Sequence, residues 1–364
     1  MSDQSRSTQR EIWIDAAKGG AILLVVIHHA FYLLGRMGAP SALHGKVDTL
    51  LEPPVMATFF LASAILTAAR LHLSPRRFFG RKLLPLVWFF AVWSMLLGAL
   101  NGWSPTAPLL APDGLIGFVA EAVLRPQNGM WFVWLLIVYT GLAWLLRGLR
   151  PVTLISLSAA LAALWGAGAM PFGPGPFSWL VVSNAFQFAP AFFVGIALPG
   201  LFVAAAARPR RALLLLGLSV AAFAAITAID LARAGHMTGA TAAWRGMAGG
   251  PMGVAAAILV ARWRPLGRPL AWLGQRSFSI FVGHGVVLLP LAMTVMPVAA
   301  PVLRRTGEAG ILVAAALMAA VGIAGALVLV WGLMRLRLVW LYAPPVDMVR
   351  DTLRRLGPGR APLG

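Results

Sequence analysis

Trp13-Ile14-Asp15-Ala16-Ala17-Lys18-Gly19-Gly20-Ala21-Ile22-Leu23-Leu24-Val25-Val26-Ile27-His28-His29 joins an apolar run to four ionisable side chains, Asp15, Lys18, His28 and His29. With its continuation the apolar segment covers about 13–35, enough for a membrane crossing, which takes about 20 apolar residues. Ionisable groups inside hydrocarbon are costly and mark functional sites. The segment therefore reads as a membrane helix with chemistry in it.

The rest of the chain agrees. It has 364 residues, of which 60% are hydrophobic and 11% charged, whereas soluble domains carry about 25% charged residues. Ten segments satisfy the length rule: 13–35, 53–72, 83–101, 130–148, 151–170, 180–204, 211–232, 241–262, 277–298 and 309–334. If they alternate from a cytoplasmic N-terminus, 23 of the 30 Lys and Arg fall inside, and seven (Arg36, Lys46, Arg125, Arg233, Arg245, Arg304 and Arg305) fall outside. That asymmetry is what the positive-inside rule demands. The expectation is an all-α integral membrane protein, a bundle of about ten transmembrane helices with both termini cytoplasmic. Its parts are a cytoplasmic N-terminus (1–12), a membrane domain (13–336) and a basic cytoplasmic tail (337–364).

Composition also excludes. The net charge of +19 follows from topology, so no nucleic-acid partner is expected. Cysteine is absent, which removes thiol catalysis and disulfides. The polar first ten residues lack a signal-peptide core, so the first apolar segment is read as retained. No repeat or inverted pair of broken helices suggests a transporter. The long outer connection, 102–129, holds a short apolar stretch at 115–121, too short to span and expected at the interface or re-entrant.

Lys18 and His29 are eleven residues apart, about three helical turns, so they share one face roughly 16 Å apart along the axis. Lys18 then lies near the cytoplasmic headgroups and His29 toward the outer leaflet, while His28 points about 100° away. The spacing suits a long anionic donor such as coenzyme A, with His29 taking a proton from an attacking hydroxyl. The alternative is that Lys18 snorkels and His29 satisfies a polar contact within the bundle. Asp15 forms an i, i+3 pair with Lys18 and is about 21 Å from His29, too far to orient it. Glu52 and Asp48, ahead of the second segment, are better placed, although both also fit as solvated loop charges. Arg76, Arg77, Arg81 and Lys82 precede the third segment; topology alone accounts for them, but arginine forks also suit phosphates. His284 lies in the ninth segment with no metal-binding spacing around it, so no metal is expected.

The stretch from Trp13 to His29 resembles the opening signature of the acyltransferase 3 family of membrane O-acyltransferases, in its fucose 4-O-acetylase-like branch. There a basic residue, ten others and a histidine form the first-helix motif, matched here by Lys18 and His29. Phe59-Phe60-Leu61-Ala62-Ser63, Met130-Trp131-Phe132, Phe192-Phe193-Val194-Gly195 and the run from Ser277 to His284 are similar as well, so the likeness covers about 13–290. It departs in the basic cluster, where Arg77, Arg81 and Lys82 replace an Arg-x-x-Arg pair, and at Ala64, where a glycine is usual. The resemblance implies a bacterial inner-membrane acyltransferase with acyl-coenzyme A, most simply acetyl-coenzyme A, as co-substrate and no bound cofactor. It implies His29 as base; His284, at the end of the similar late helix, and Glu52, by its placement ahead of the second segment, are further catalytic candidates. Lys18, Arg77, Arg81 and Lys82 would bind the donor. The acceptor would be a hydroxyl of a cell-surface or lipid-linked glycan, met by outer loops 36–52, 102–129, 171–180, 233–244 and 299–308. The competing function is a proton-coupled transporter of a small solute or lipid-linked glycan.

Overall fold

The computed structural model describes residues 3–101, 114–126, 129–169, 177–232 and 239–344. These are helical, with no strand among them. In chain order the helices are α1 (Asp3–Arg36), α2 (Ala42–Ala68), α3 (Pro75–Phe78), α4 (Leu84–Asn101), α5 (Gly114–Leu124), α6 (Met130–Leu145) and α7 (Pro151–Gly166). They continue with α8 (Trp179–Ala197), α9 (Pro199–Ala207), α10 (Pro209–Ala232), α11 (Gly239–Arg262), α12 (Arg264–Gln275) and α13 (Ser277–Arg335). Among the described residues six helices are long and apolar enough to cross a membrane: Ile12–Arg36, Leu51–Ala68, Pro75–Gly98, Trp179–Ala197, Pro209–Ala232 and Ser277–Arg335. The protein is a multi-pass membrane protein.

Several boundaries differ from the sequence expectation, each for a local reason. The second segment begins at Ala42 and runs through Pro53 and Pro54, so much of the expected outer connection 36–52 is helix. Membrane helices tolerate proline where local adjustment or neighbouring groups re-satisfy the freed backbone; one turn on, the Thr58 hydroxyl donates to the Pro54 carbonyl at 2.7 Å. The expected segment 180–204 breaks at Leu198, where φ is −124° and ψ 42°, and Pro199 opens α9 as a first-turn residue. Ahead of α4 a π-helical turn, Phe79–Leu83, carries Arg81 and Lys82. The short apolar stretch near 115–121 becomes α5, whose 11 residues are too few to span.

α13 is a hairpin. Gly307 has φ 65° and ψ −164°, a region open essentially to glycine alone. On either side, Gly283 faces Ala326, Val287 faces Gly325 and Leu288 faces Gly322. As one partner advances the other recedes, so the two arms run antiparallel, as the separate expected segments 277–298 and 309–334 require.

By contact the chain divides into two compact units. The first comprises Met1–Ile65, Arg150–Pro171 and Ser183–Trp331; the second comprises Leu66–Leu149, Phe172–Val182 and Gly332–Gly364. In the second, the indoles of Trp88 and Trp93 donate to the carbonyls of Trp340 and Leu341 at 2.6 and 2.9 Å, fastening the segment after α13 to α4.

In the first unit α1 is held by small residues. Trp13, Ile14, Ala16 and Ala17 pack in one apolar cluster with Leu61 and Ile65 of α2, Phe202 of α9, Val254 and Ile258 of α11 and Ala271 of α12. Gly19 abuts the Leu270 carbonyl of α12, and Gly274 abuts the Asp15 carbonyl of α1; neither has space for a Cβ atom. At the other end of α1, the Ser41 hydroxyl accepts from the His44 amide at 3.0 Å and donates to Glu308 at 2.7 Å. Glu308 also accepts from the Ala42 amide at 2.6 Å, and Arg304 donates to the Gly38 carbonyl at 3.0 Å. The turn after α1 is thereby tied to the tip of the α13 hairpin.

A Gly274→Ala substitution should force α12 off α1 and cost about 1–3 kcal/mol, the range for overpacking. Gly20→Ala, with nothing within 4 Å of the new methyl, should be neutral. Thermal unfolding of the two variants in the same detergent checks the contrast.

Candidate functional site

The tie at the α13 tip brings together residues that chain order separates. His29 of α1 and His284 of α13 are 255 positions apart, yet Nδ1 of His29 lies 2.9 Å from Nε2 of His284. Their rings stack with centroids 5.0 Å apart. Nδ1 of His284 lies 2.8 Å from the Ile280 carbonyl, one turn earlier on its own helix. A carbonyl oxygen only accepts, so Nδ1 of His284 carries a proton. In the neutral pair Nε2 of His284 is then an acceptor, and Nδ1 of His29 must donate to it. What remains is a bare lone pair on Nε2 of His29, the state a general base needs. Nε2 makes no hydrogen bond to any described residue.

The pairing is held from behind. His284 is buried at 5% exposure, and its neighbour Gly283 presses on Ala326 of the second arm of α13. His28 lies beside this pair: its ring is 5.2 Å from His29, 5.4 Å from His44 and 6.5 Å from Tyr32. Phe31 stacks on His44 at 5.0 Å. Of the six histidines in the chain, His28, His29, His44 and His284 thus gather at one end of the first unit. Among the described residues no group of three His, Asp or Glu side chains is arranged to hold a metal.

The other sequence candidates fall as follows. Lys18 and Asp15 form their i, i+3 ion pair at 2.8 Å, three turns from His29 and beside α12. Glu52 is an exposed residue of α2 within electrostatic reach of Arg245; the neighbour at Nδ1 of His29 is His284. The side chain of Asp48 lies outside the described residues. Arg77 and Arg81 are exposed, and Arg76 and Lys82 half-buried, in the second unit, where the Phe78 ring packs 5.9 Å from Trp144.

One charged pair was not foreseen. Arg245 of α11 is 1% exposed, among the largest fully buried side chains, and its Nε lies 3.5 Å from Oδ2 of Asp230 on α10. Reading Arg245 as an outer-side charge overlooked its position inside the apolar segment 241–262, the signal that an arginine there must be paired. His44 had no such signal, because it falls in what reads as a connecting loop.

With the geometry in place, comparison with protein families gives a match to the acyltransferase 3 model, an acyltransferase domain, over residues 11–335. The chain belongs to this family and is a membrane acyltransferase. No curated protein and no solved structure matches it.

Removing one partner of the Arg245–Asp230 pair should be far worse than removing both. Arg245→Leu alone is expected to cost about 3–5 kcal/mol by stranding a buried carboxylate. Adding Asp230→Asn to that variant should restore much of the loss, measured by denaturant or thermal unfolding of the three proteins.

Proposed function

We propose that the protein transfers an acyl group, most simply acetyl, from acyl-coenzyme A to a hydroxyl of a cell-surface or lipid-linked glycan, with His29 as general base. The observation that carries this reading is the chain from the Ile280 carbonyl through His284 to His29, which leaves Nε2 of His29 unprotonated. The acceptor hydroxyl gives its proton to Nε2 as its oxygen attacks the thioester carbonyl carbon. The tetrahedral intermediate collapses with loss of the carbon–sulfur bond, and the thiolate takes the proton back. While His29 is cationic, its Nδ1–H remains bonded to Nε2 of His284, so the charge that forms has an acceptor waiting. His284 is a positioning residue in this scheme.

The donor enters from the arginine-rich side. Lys18 sits three turns below His29 on the same face, and Arg77, Arg81 and Lys82 supply cations for the donor phosphates. In this reading the chain crosses a bacterial inner membrane ten times, with both termini in the cytoplasm. The ten crossings are the six long apolar helices, with α13 counted as two arms, together with α6, α7 and α11. Family membership supports the reaction class, and the 23-to-7 charge split supports the orientation.

Release of free coenzyme A from acetyl-coenzyme A by purified protein, with and without a glycan acceptor, tests the assignment. His29→Ala should lower kcat by about 10²–10⁴-fold, the contribution of a general base. His28→Ala should be much milder. Wild-type turnover in His29→Ala would end the proposal. His284→Ala should lower kcat by on the order of 10- to 100-fold, as loss of other imidazole-orienting partners does, while the donor KM stays unchanged. Arg81→Ala should do the opposite, raising donor KM with little change in kcat; an unaltered KM removes Arg81 from the donor site.

A further inference from the structure

Arg264-Pro265-Leu266-Gly267-Arg268-Pro269-Leu270-Ala271-Trp272-Leu273-Gly274-Gln275 gave no membrane segment, and it folds as α12. Its buried stripe is Gly267, Ala271 and Gly274, at i, i+4 and i+7. These positions let its backbone press on Ala261 of α11 and on Asp15 of α1. The rest of the helix divides into two flanks at 100° per residue. One carries Arg264 and Arg268; the other carries Leu266 and Leu273, with Trp263 just ahead of it. Trp263, Leu266 and Trp272 are 59%, 46% and 45% exposed.

Among the described residues the charge on this helix has no answer. Arg264 and Arg268 are exposed and make no hydrogen bond or ion pair with any described residue. Their neighbours are engaged: Arg262 donates to the Ala206 carbonyl, and Arg276 lies 4.2 Å over the Trp272 ring. α12 contains no acidic residue, and Asp15 on α1, whose carbonyl Gly274 of α12 abuts, is occupied by Lys18 at 2.8 Å. Like charges at i and i+4 are neighbours on a helix surface and repel. A phosphate set between them removes the repulsion and accepts from both guanidinium forks. The apolar flank on the other side of the buried stripe is the mark of a helix lying in the membrane interface, with its aromatic and aliphatic side chains in the acyl boundary.

We propose that α12 is a docking site for an anionic phospholipid, its headgroup phosphate bridging Arg264 and Arg268 and its acyl chains lying along Trp263 and Leu266. The exposed apolar flank selects an amphiphile over a soluble phosphate compound. Because α12 meets α1 backbone to backbone at Gly19 and Gly274, the bound lipid braces the helix that carries His29.

The test measures lipid retention and so stands apart from acyl transfer. Full-length protein is released from mixed phosphatidylcholine–phosphatidylglycerol nanodiscs, and bound lipid is counted by native mass spectrometry. Wild type should retain a phosphatidylglycerol that Arg264→Gln/Arg268→Gln loses. The affinity drop should be about thirtyfold, from about fivefold per cation near an anionic surface. The same two-charge removal at Arg210 and Arg211 should leave retention unchanged, and added coenzyme A should not displace the lipid. Equal retention by the Arg264/Arg268 variant, equal loss in the Arg210/Arg211 variant, or displacement by coenzyme A would each overturn the assignment. Size-exclusion profiles matching wild type establish that the variants are folded.

Discussion

Two imidazoles 255 positions apart share a hydrogen only if the helices carrying them are held to a few tenths of an ångström, because hydrogen bonds weaken steeply with distance and angle. The bond between His29 and His284 therefore depends on everything that holds α1 and α13. At one end of α1, glycine contacts with α12 allow backbone-to-backbone packing. At the other end, Glu308 and Arg304 at the tip of the α13 hairpin hold the turn into α2. Between these two attachments α1 has little freedom to slide or rotate, and His29 meets His284 with one nitrogen while the other stays free.

Several charged and polar groups of the first unit have dedicated partners, and the apolar remainder packs closely. Lys18 pairs with Asp15, Arg245 with Asp230, and His284 with the carbonyl one turn behind it. A charge without a partner in such an interior is costly, so pairing is a condition of folding before it is a device for catalysis. Nε2 of His29, the proposed base, differs: it makes no hydrogen bond to any described residue. Arg264 and Arg268 are exceptions of another kind, exposed cations that pair with no described residue.

Hydropathy and register made the class of fold and half of the site legible. Lys18 and His29 were readable because their eleven-residue spacing is a local property of one helix. Pairing His29 with His284 was not, because periodicity says nothing about which of many apolar helices will face which. Arg245 lay inside an apolar segment and still passed for an outer charge, since a charge count by side ignores depth. α12 escaped notice because its apolar residues line one narrow flank of a short helix with a proline inside it, Pro269. Gly307 was consistent with the expected turn between two segments, and its backbone angles explain why a glycine stands there.

The account rests on the protonation pattern of one ring, and nitrogen-15 magnetic resonance of histidine-labelled protein reads that pattern directly. Signals of His29, assigned by their loss in His29→Gln, should show a proton on Nδ1 and a bare Nε2, and should change when His284 is replaced by alanine. A His29 ring protonated at Nε2, or one indifferent to His284, would contradict it.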